Sequence, residues 1–332
     1  MKILIVDYHS SATRDISMIL KEQGHEVTSW NFSNHCWAFG EEKSRNQFLN
    51  KISLSEFKFD IGKEFWNHHS SELEKYDCYI TGHTPCLSLL FSLSNKPVIV
   101  CITTRYEHPF TGNSENWKRF NDYLIEGYSS GRLKFVSNNF YDAKYFEHYT
   151  GILPKTIQSL CHYHEGLWNK KQNQFVLYSK LHTSSNDIID LKSRGRYRWE
   201  DWYSYAGVYC IPYQVSTMSL FEFSAAGMPV IYPDIDETLY LRRKFPQNVL
   251  SELSWRTVSE EYSNNSFKTM KSFNDLPSPN DVEDELSVRY WLSYSDCYTP
   301  WMSNVIKNNS NITFNDKKAI FSAGWKDVIS RI

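Results

Sequence analysis

Short apolar runs alternate with helical spacing at the start of the chain. Residues 2–7 (KILIVD) predict a buried parallel strand. Ile16, Ile19 and Leu20 then recur at the spacing of an amphipathic helix, and residues 26–30 (EVTSW) predict the next strand. A strand, a helix and a second strand in this order predict a parallel sheet with helices on both faces.

The same alternation continues to the C-terminus. Further strands are predicted over 78–81, 97–102, 135–137, 157–160, 175–179, 208–212 and 229–232. Helices are predicted over 86–94, 140–149, 199–206, 220–226 and about 315–330. Two polar segments, 166–174 and 260–290, predict a linker and a loop. The pattern therefore predicts an α/β chain with domains at 1–165 and 166–312 and a final helix at 313–332, with ligands bound at the carboxyl ends of the strands.

Length, charge and cysteine content narrow the function. A chain of 332 residues suits two domains. The formal net charge is −2 and no basic block stands out, so nucleic acid is not expected as a partner. No apolar run reaches the ~18 residues of a membrane helix, and the first apolar run is too short for a signal peptide. Seven cysteines without metal-ligand spacing favour free thiols and a cytoplasmic location.

The most informative segment is 208–233, VYCIPYQVSTMSLFEFSAAGMPVIYP. It reads as a strand, a hydroxyl-rich loop, a short helix and a second strand. The loop Ser216, Thr217, Met218 and Ser219 leads into a helix N-terminus, where backbone N–H groups and the helix dipole suit a diphosphate. Glu222 stands one turn into that helix, where a carboxylate can accept both hydroxyls of a ribose.

This segment resembles the nucleotide-sugar site of GT-B glycosyltransferases. In that superfamily a Glu is followed by four residues, then Gly, one residue, Pro and a hydrophobic strand. Here Glu222, Gly227, Pro229 and the pair Val230–Ile231 stand in that order. The resemblance implies two Rossmann-like domains facing a central cleft: an N-terminal acceptor domain and a C-terminal donor domain, with the last helix crossing back to the first.

The same resemblance assigns roles to single residues. It implies that Glu222 holds the ribose and that the amides of 216–219 hold the phosphates. Many retaining members carry a second Glu eight positions earlier, which touches the donor sugar, and here that position is Gln214. The family also places a basic residue after the first strand of the second domain, where this chain has Lys180. A positive charge there would stabilise the leaving diphosphate without a metal.

Simpler interpretations of these residues remain open. Ser219 and Glu222 also fit a capping box, Ser-x-x-Glu before an apolar run. Lys180 could be a solvated surface side chain. Three arginines, Arg194, Arg196 and Arg198, compete with Lys180 for the diphosphate.

Four polar residues follow predicted strands of the first domain. His9 and His83 come after the first and third strands, and either could serve as a catalytic base or hydrogen bond to the sugar. Arg105 and Glu107 follow the strand at 97–102 and could contact the acceptor. Each of the four could instead be an ordinary polar loop residue. Their shared position at strand ends is what makes them candidates.

Other signatures are missing or incomplete. No Gly-x-Gly-x-x-Gly follows the first strand, and no P-loop or Gly-x-Ser-x-Gly is present. A response-regulator receiver domain would need an acidic cluster after the first strand, where only Asp7 is acidic. A sugar-nucleotide epimerase, or a non-catalytic nucleotide-sugar-binding protein, stays possible as an alternative.

The sequence thus predicts a glycosyltransferase. It would move a hexosyl or pentosyl group from a nucleoside-diphosphate sugar to a hydroxyl of a glycan or small acceptor. We expect that the enzyme needs no cofactor and no metal ion, since the nucleotide sugar is itself the donor substrate. The resemblance favours retention of configuration.

Overall fold

The computed structural model describes residues 1–33, 36, 42–44, 46–50, 52–161, 167–182, 185–191, 199–252, 270, 272–299 and 314–332. By residue contacts the chain divides into two compact units. Unit 1 comprises Met1–Ser159, Asn264–Asp275 and Ala319–Ile332, and unit 2 comprises Leu160–Ser263 and Leu276–Lys318. No helix within the described ranges is long and apolar enough to cross a membrane.

Unit 1 is built on a sheet of six strands that all run parallel. The strands are β1 (Lys2–Asp7), β2 (Glu26–Asn31), β3 (Cys78–Gly82), β4 (Val98–Ile102), β5 (Leu133–Ser137) and β6 (Lys155–Thr156). Their order is β2-β1-β3-β4-β5-β6. The apolar side chains of β1, β3 and β4 are almost fully buried, as expected for parallel strands covered on both faces.

Helices connect these strands. They are α1 (Ser10–Glu22), α2 (Gln47–Asn50), α3 (Ile61–Leu73), α4 (Ser114–Ser129) and α5 (Phe140–Thr150). Short 3-10 helices lie at Leu54–Glu56, Pro85–Phe91 and Phe110–Gly112. Asn113 and Asn139 begin α4 and α5 by accepting backbone N–H groups of the first turn. Gly151 follows α5 in the left-handed conformation, which ends that helix.

Unit 2 carries a smaller sheet that is also entirely parallel. Its strands are β7 (Phe175–Tyr178), β8 (Ile188–Ile189), β9 (Gly207–Cys210) and β10 (Val230–Ile231), in the order β10-β9-β7-β8. Its helices are α6 (Trp199–Tyr203), α7 (Met218–Ala225), α8 (Ile235–Lys244) and α9 (Glu285–Leu292). Trp202, Phe223 and Met228 belong to the apolar core around β7 and β9.

The last helix, α10 (Phe314–Ser330), belongs to unit 1 from Ala319 onward. Gln23 donates hydrogen bonds to Ser322, and Lys155 is ion-paired with Asp327. At Gly324 a Cβ atom would lie 3.2 Å from the Ile157 side chain, so helix and chain pass close together there. The predicted return of this helix to the N-terminal half is confirmed.

The α/β class and the two parallel sheets are confirmed, but several elements differ from their predicted positions. The strand predicted at 157–160 pairs instead through Lys155–Thr156, and the helix predicted over 86–94 is a 3-10 helix that begins at Pro85. The polar segment 260–290 includes the start of α9. Residues 167–174 of the segment predicted as a linker belong to unit 2, where the Trp168 indole donates to the carbonyl of Tyr205.

Candidate functional site

The loop after β9 leads directly into α7, the helix predicted to hold a diphosphate. Thr217 is its N-cap residue, in an extended conformation. Its hydroxyl makes no capping hydrogen bond and, within the described structure, is buried without a partner. Ser219 therefore lies inside the first turn, and the capping-box interpretation of Ser219 and Glu222 is wrong because neither residue stands at the position that a capping box requires.

Glu222 lies within α7 with only 5% of its surface exposed. Burial raises the pKa of the neighbouring Tyr203, and the negative charge of Glu222 raises it further. Carboxylates are seldom buried in folded proteins, which makes Glu222 a candidate for ligand binding.

Two tyrosines link the N-terminus of α7 to Lys180. The Tyr178 hydroxyl at the end of β7 lies 3.3 Å from the Tyr213 hydroxyl and is also hydrogen bonded to Ser219. The Lys180 ammonium lies 5.0 Å from the centre of the Tyr213 ring, within cation–π range. Ser219 and Lys180, predicted separately as diphosphate ligands, are thus joined by a chain of contacts, two hydrogen bonds and one cation–π contact, at the carboxyl ends of β7 and β9.

The remaining predicted donor residues lie along the same loop. Gln214 is partly buried and its side chain is hydrogen bonded to Tyr213. The Met218 carbonyl accepts a weak hydrogen bond from the Cys161 thiol, and Ser216 is partly buried. The competing arginines, Arg194, Arg196 and Arg198, lie outside the described residues.

Sequence reasoning missed Tyr178, Tyr213 and Glu252. The carboxylate of Glu252 is ion-paired with the Lys180 ammonium. The two tyrosines do carry a signal, because each ends or closely follows an apolar strand with a hydroxyl. Glu252 carries none, since it lies 72 residues beyond Lys180 in the chain.

Two aspartates of unit 2 have the Asp-x-Asp spacing of a metal-holding pair. Asp234 is the N-cap of α8, where its carboxylate accepts the N–H of Glu237, and Asp236 is ion-paired with Arg289. Among the described residues no three or more His, Cys, Asp or Glu side chains are grouped as metal ligands would be. Metal independence stays a prediction.

In unit 1 the two predicted histidines meet at the ends of β1 and β3. Their rings stack with centroids 5.9 Å apart and planes 9° from parallel. The Nδ1 atom of His9 lies 2.7 Å from the Ser11 hydroxyl, which orients that ring. Burial, with smaller contributions from His9 and His108, lowers the pKa of His83 to about 3, so its ring is neutral at physiological pH.

Asp7, two residues before His9, binds the backbone of the turn that carries His9. Its carboxylate accepts the backbone N–H of His9 at 2.6 Å and the hydroxyl of Thr13. Gly82 on the adjacent strand has no room for a side chain, because a Cβ there would lie 2.9 Å from the Asp7 carboxylate. Asp7 therefore fixes the turn that presents His9.

Arg105 and Glu107 are internal residues of unit 1. Glu107 has no exposed surface, and its Oε1 accepts a 2.7 Å hydrogen bond from the Tyr145 hydroxyl. Burial raises the pKa of Glu107 to about 7, although Tyr145 and the Arg105 charge act in the opposite direction. In this conformation Glu107 cannot touch an acceptor. The predicted acceptor contacts of both residues stay predictions and would require this loop to move.

No protein-family model and no curated protein match this sequence. Three glycosyltransferases resemble the whole chain in structure. SnogD from Streptomyces nogalater has 10% identity and a TM-score of 0.40 over 97% of this chain and 99% of its own. The calicheamicin glycosyltransferase CalG4 has 9% identity and a TM-score of 0.42 over 99% of this chain and 98% of its own.

The third is the spinosyn rhamnosyltransferase SpnG, complexed with spinosyn aglycone. It has 11% identity and a TM-score of 0.36 over 98% of this chain and 96% of its own. At identities and TM-scores this low, the likeness by itself assigns neither a family nor an activity to this chain.

Proposed function

We propose that the protein transfers a sugar from a nucleoside-diphosphate sugar to a hydroxyl group of a glycan or small acceptor. The observation that carries this proposal is the chain of contacts from Ser219 through Tyr178 and Tyr213 to Lys180. It joins a helix N-terminus to a cation at the carboxyl edge of a parallel sheet, which is the arrangement that binds phosphates.

Each part of the unit 2 site has a role in this proposal. The α7 N-terminus and Lys180 bind the diphosphate and stabilise its charge as the glycosidic bond to the donor sugar breaks. The buried carboxylate of Glu222 accepts a ribose hydroxyl. Gln214, whose amide lies on the same loop, contacts the sugar. Retention belongs to the proposal through the resemblance, and metal independence belongs to it because the charge of Lys180 would replace a metal.

The histidine pair of unit 1 supplies the proton chemistry at the acceptor. A ring with a pKa of about 3 is a weak base, so His83 hydrogen bonds to the reacting sugar or hydroxyl. His9, oriented by Ser11, receives the acceptor proton.

The first test is a thermal-shift screen with UDP, GDP, CMP and dTDP sugars in metal-free buffer. Binding at a hundredfold excess over the dissociation constant stabilises a protein by about 2.7 kcal/mol, which gives a visible rise in Tm. A response to one base identifies the donor class. No response from a folded sample to any of them would refute the proposed donor site.

Glu222→Ala is expected to weaken donor binding roughly ten- to hundredfold, because a hydrogen bond to a charged group contributes about 1.5–3 kcal/mol. Calorimetric titration with the donor from the screen measures the change. Glu285→Ala is the matched control, because Glu285 is exposed on α9 of the same unit and should leave affinity unchanged. Unaltered donor affinity and turnover in folded Glu222→Ala would contradict the assignment.

The presence of Gln214 where the retaining enzymes have Glu supports a second function, nucleotide-sugar binding without transfer. The two functions differ in turnover. Release of the nucleoside diphosphate from a bound donor, with or without acceptor, supports transfer. Tight binding with no release supports the non-catalytic protein.

A further inference from the structure

Lys180, the cation of the proposed diphosphate site, already has an anionic partner in the same unit. The carboxylate of Glu252 is ion-paired with its ammonium, and both side chains are about one-third exposed, at 33% and 37%. The ammonium also lies over the Tyr213 ring. The position where a phosphate would meet Lys180 is therefore shared with a carboxylate of the protein itself.

Backbone contacts hold Glu252 at this place. The N–H of Glu252 donates to the Tyr213 carbonyl at 2.9 Å, and the N–H of Leu250 donates to the Pro212 carbonyl at 3.0 Å. Asn248 donates from its side chain to the carbonyl of Lys180 at 2.9 Å. The segment is thus bonded to the very loop that carries the proposed donor site.

Leu250 shows that this placement has an energetic cost. It has a φ of 51°, in the left-handed region that a branched side chain rarely adopts, and its side chain is buried. Such a conformation persists only where surrounding contacts impose it. The contacts around Leu250 therefore fix the backbone conformation that places Glu252 beside Lys180.

We propose that Glu252 is an electrostatic gate on the diphosphate site. This inference rests on the proposed function. Glu252 neutralises Lys180 when no diphosphate is bound, and an arriving diphosphate displaces it because it brings more negative charge than one carboxylate. Singly charged anions do not displace it. Glu252 thereby lowers the affinity of the site for anions in general and sets a threshold that only a polyanion passes.

The test compares wild type with Glu252→Gln by calorimetric titration with inorganic pyrophosphate in metal-free, low-salt buffer. Gln keeps the size and backbone contacts of Glu252 but removes its charge. We expect pyrophosphate to bind about two- to fivefold more tightly to the variant, the range set by a partly exposed ion pair. Formate should gain by a similar factor, because the same carboxylate competes for the ammonium in both cases.

Two further variants make the result specific. Glu147→Gln removes the same charge from a similarly exposed pair with Lys144 in unit 1 and should not change pyrophosphate affinity. Lys180→Met combined with Glu252→Gln should abolish the gain, because the gain acts through Lys180. Urea unfolding of each variant establishes that the fold is retained.

The gate is overturned if Glu252→Gln binds pyrophosphate no more tightly than wild type does. It is also overturned if the gain in affinity survives in the double variant, or if Glu147→Gln shows an equal gain. Failure of the proposed function has a different signature. In that case no nucleotide sugar stabilises wild type or variant, while the response to pyrophosphate still tests whether Glu252 masks Lys180.

Discussion

His83 has a strained backbone conformation, and its ring is buried where the protonated form is unfavourable. Its φ of 84° is left-handed, and its carbonyl is held in place by the N–H and hydroxyl of Thr103. Its Nδ1 atom is buried and, in the described structure, accepts or donates no hydrogen bond. Strain and an unfilled hydrogen-bonding site at the end of a strand are features of residues retained for binding.

The lowered pKa of His83 predicts a specific pH dependence of stability. Below the ordinary pKa of 6.5 the unfolded chain gains a proton at this ring, whereas the folded protein does not until about pH 3. The contribution of the neutral ring is therefore fully present above pH 6.5 and is lost as the pH falls toward 3. His83→Asn, in which Asn tolerates a positive φ, should lose less stability than wild type between pH 7.5 and pH 5.

Urea midpoints at the two pH values measure this difference. His68→Asn is the control, because His68 is exposed on α3 and should leave the pH dependence of wild type intact. Equal losses in wild type and His83→Asn would show that the ring at position 83 is as easily protonated in the folded protein as in the unfolded one.

At the scale of elements, Gly227 shows how α7 is ended. It has a φ of 75°, and a Cβ placed there would meet no atom within 4 Å. Any cost of Gly227→Ala is therefore conformational. We expect a loss of about 1–2 kcal/mol in the free energy of unfolding, because L-residues disfavour this region.

Gly112→Ala is the matched comparison. The Gly112 site has equally open space but no positive φ. There the substitution should be neutral or stabilise by about 0.4–1 kcal/mol, since it reduces the entropy of the unfolded chain. Chemical denaturation measures the free energy of unfolding of both variants. Equal changes in the two would contradict the claim that the positive φ of Gly227 is what makes its substitution costly.

The sequence was sufficient to predict elements where one strong pattern dominates. Buried strands such as β1 and β4 are uniformly apolar, and α7 is bracketed by a hydroxyl-rich loop and Gly227. Helix α4 was missed, although Trp117, Phe120 and Leu124 are buried at helical spacing, because polar residues surround them. Strand β6 is only two residues long, and its position depends on pairing with β5 rather than on its own residues.

The candidate site was predictable only in part, for a similar reason. Glu222 and the loop 216–219 follow from a local motif. The link through Tyr178 and Tyr213 depends on which side chains of neighbouring strands meet, and Glu252 depends on a long-range contact. Neither is encoded in any one segment, so only the folded chain reveals them.

At the scale of the whole molecule, α10 completes unit 1 from the far end of the chain. Trp325 is 1% exposed on this helix. Trp325→Ala should lower the free energy of unfolding by about 3–5 kcal/mol, because it removes a large buried side chain and leaves a cavity. Ile320→Ala on the same helix is the control, since Ile320 is 62% exposed and its loss should change stability by less than about 0.5 kcal/mol.

Guanidinium unfolding monitored by circular dichroism compares the two variants. If Trp325→Ala were as stable as Ile320→Ala, α10 would be an attachment to unit 1 and not part of its core. The Lys155–Asp327 pair is surface exposed and should contribute little in either case.

The division of unit 1 between the two ends of the chain also constrains how the protein is made. A ribosome releases β1 to β6 first, then all of unit 2, and the α10 residues that cover Ile157 only at the end. At ordinary elongation rates the first sheet waits on the order of ten seconds for its last helix. During that interval the apolar surface that α10 covers in unit 1 stays exposed to solvent.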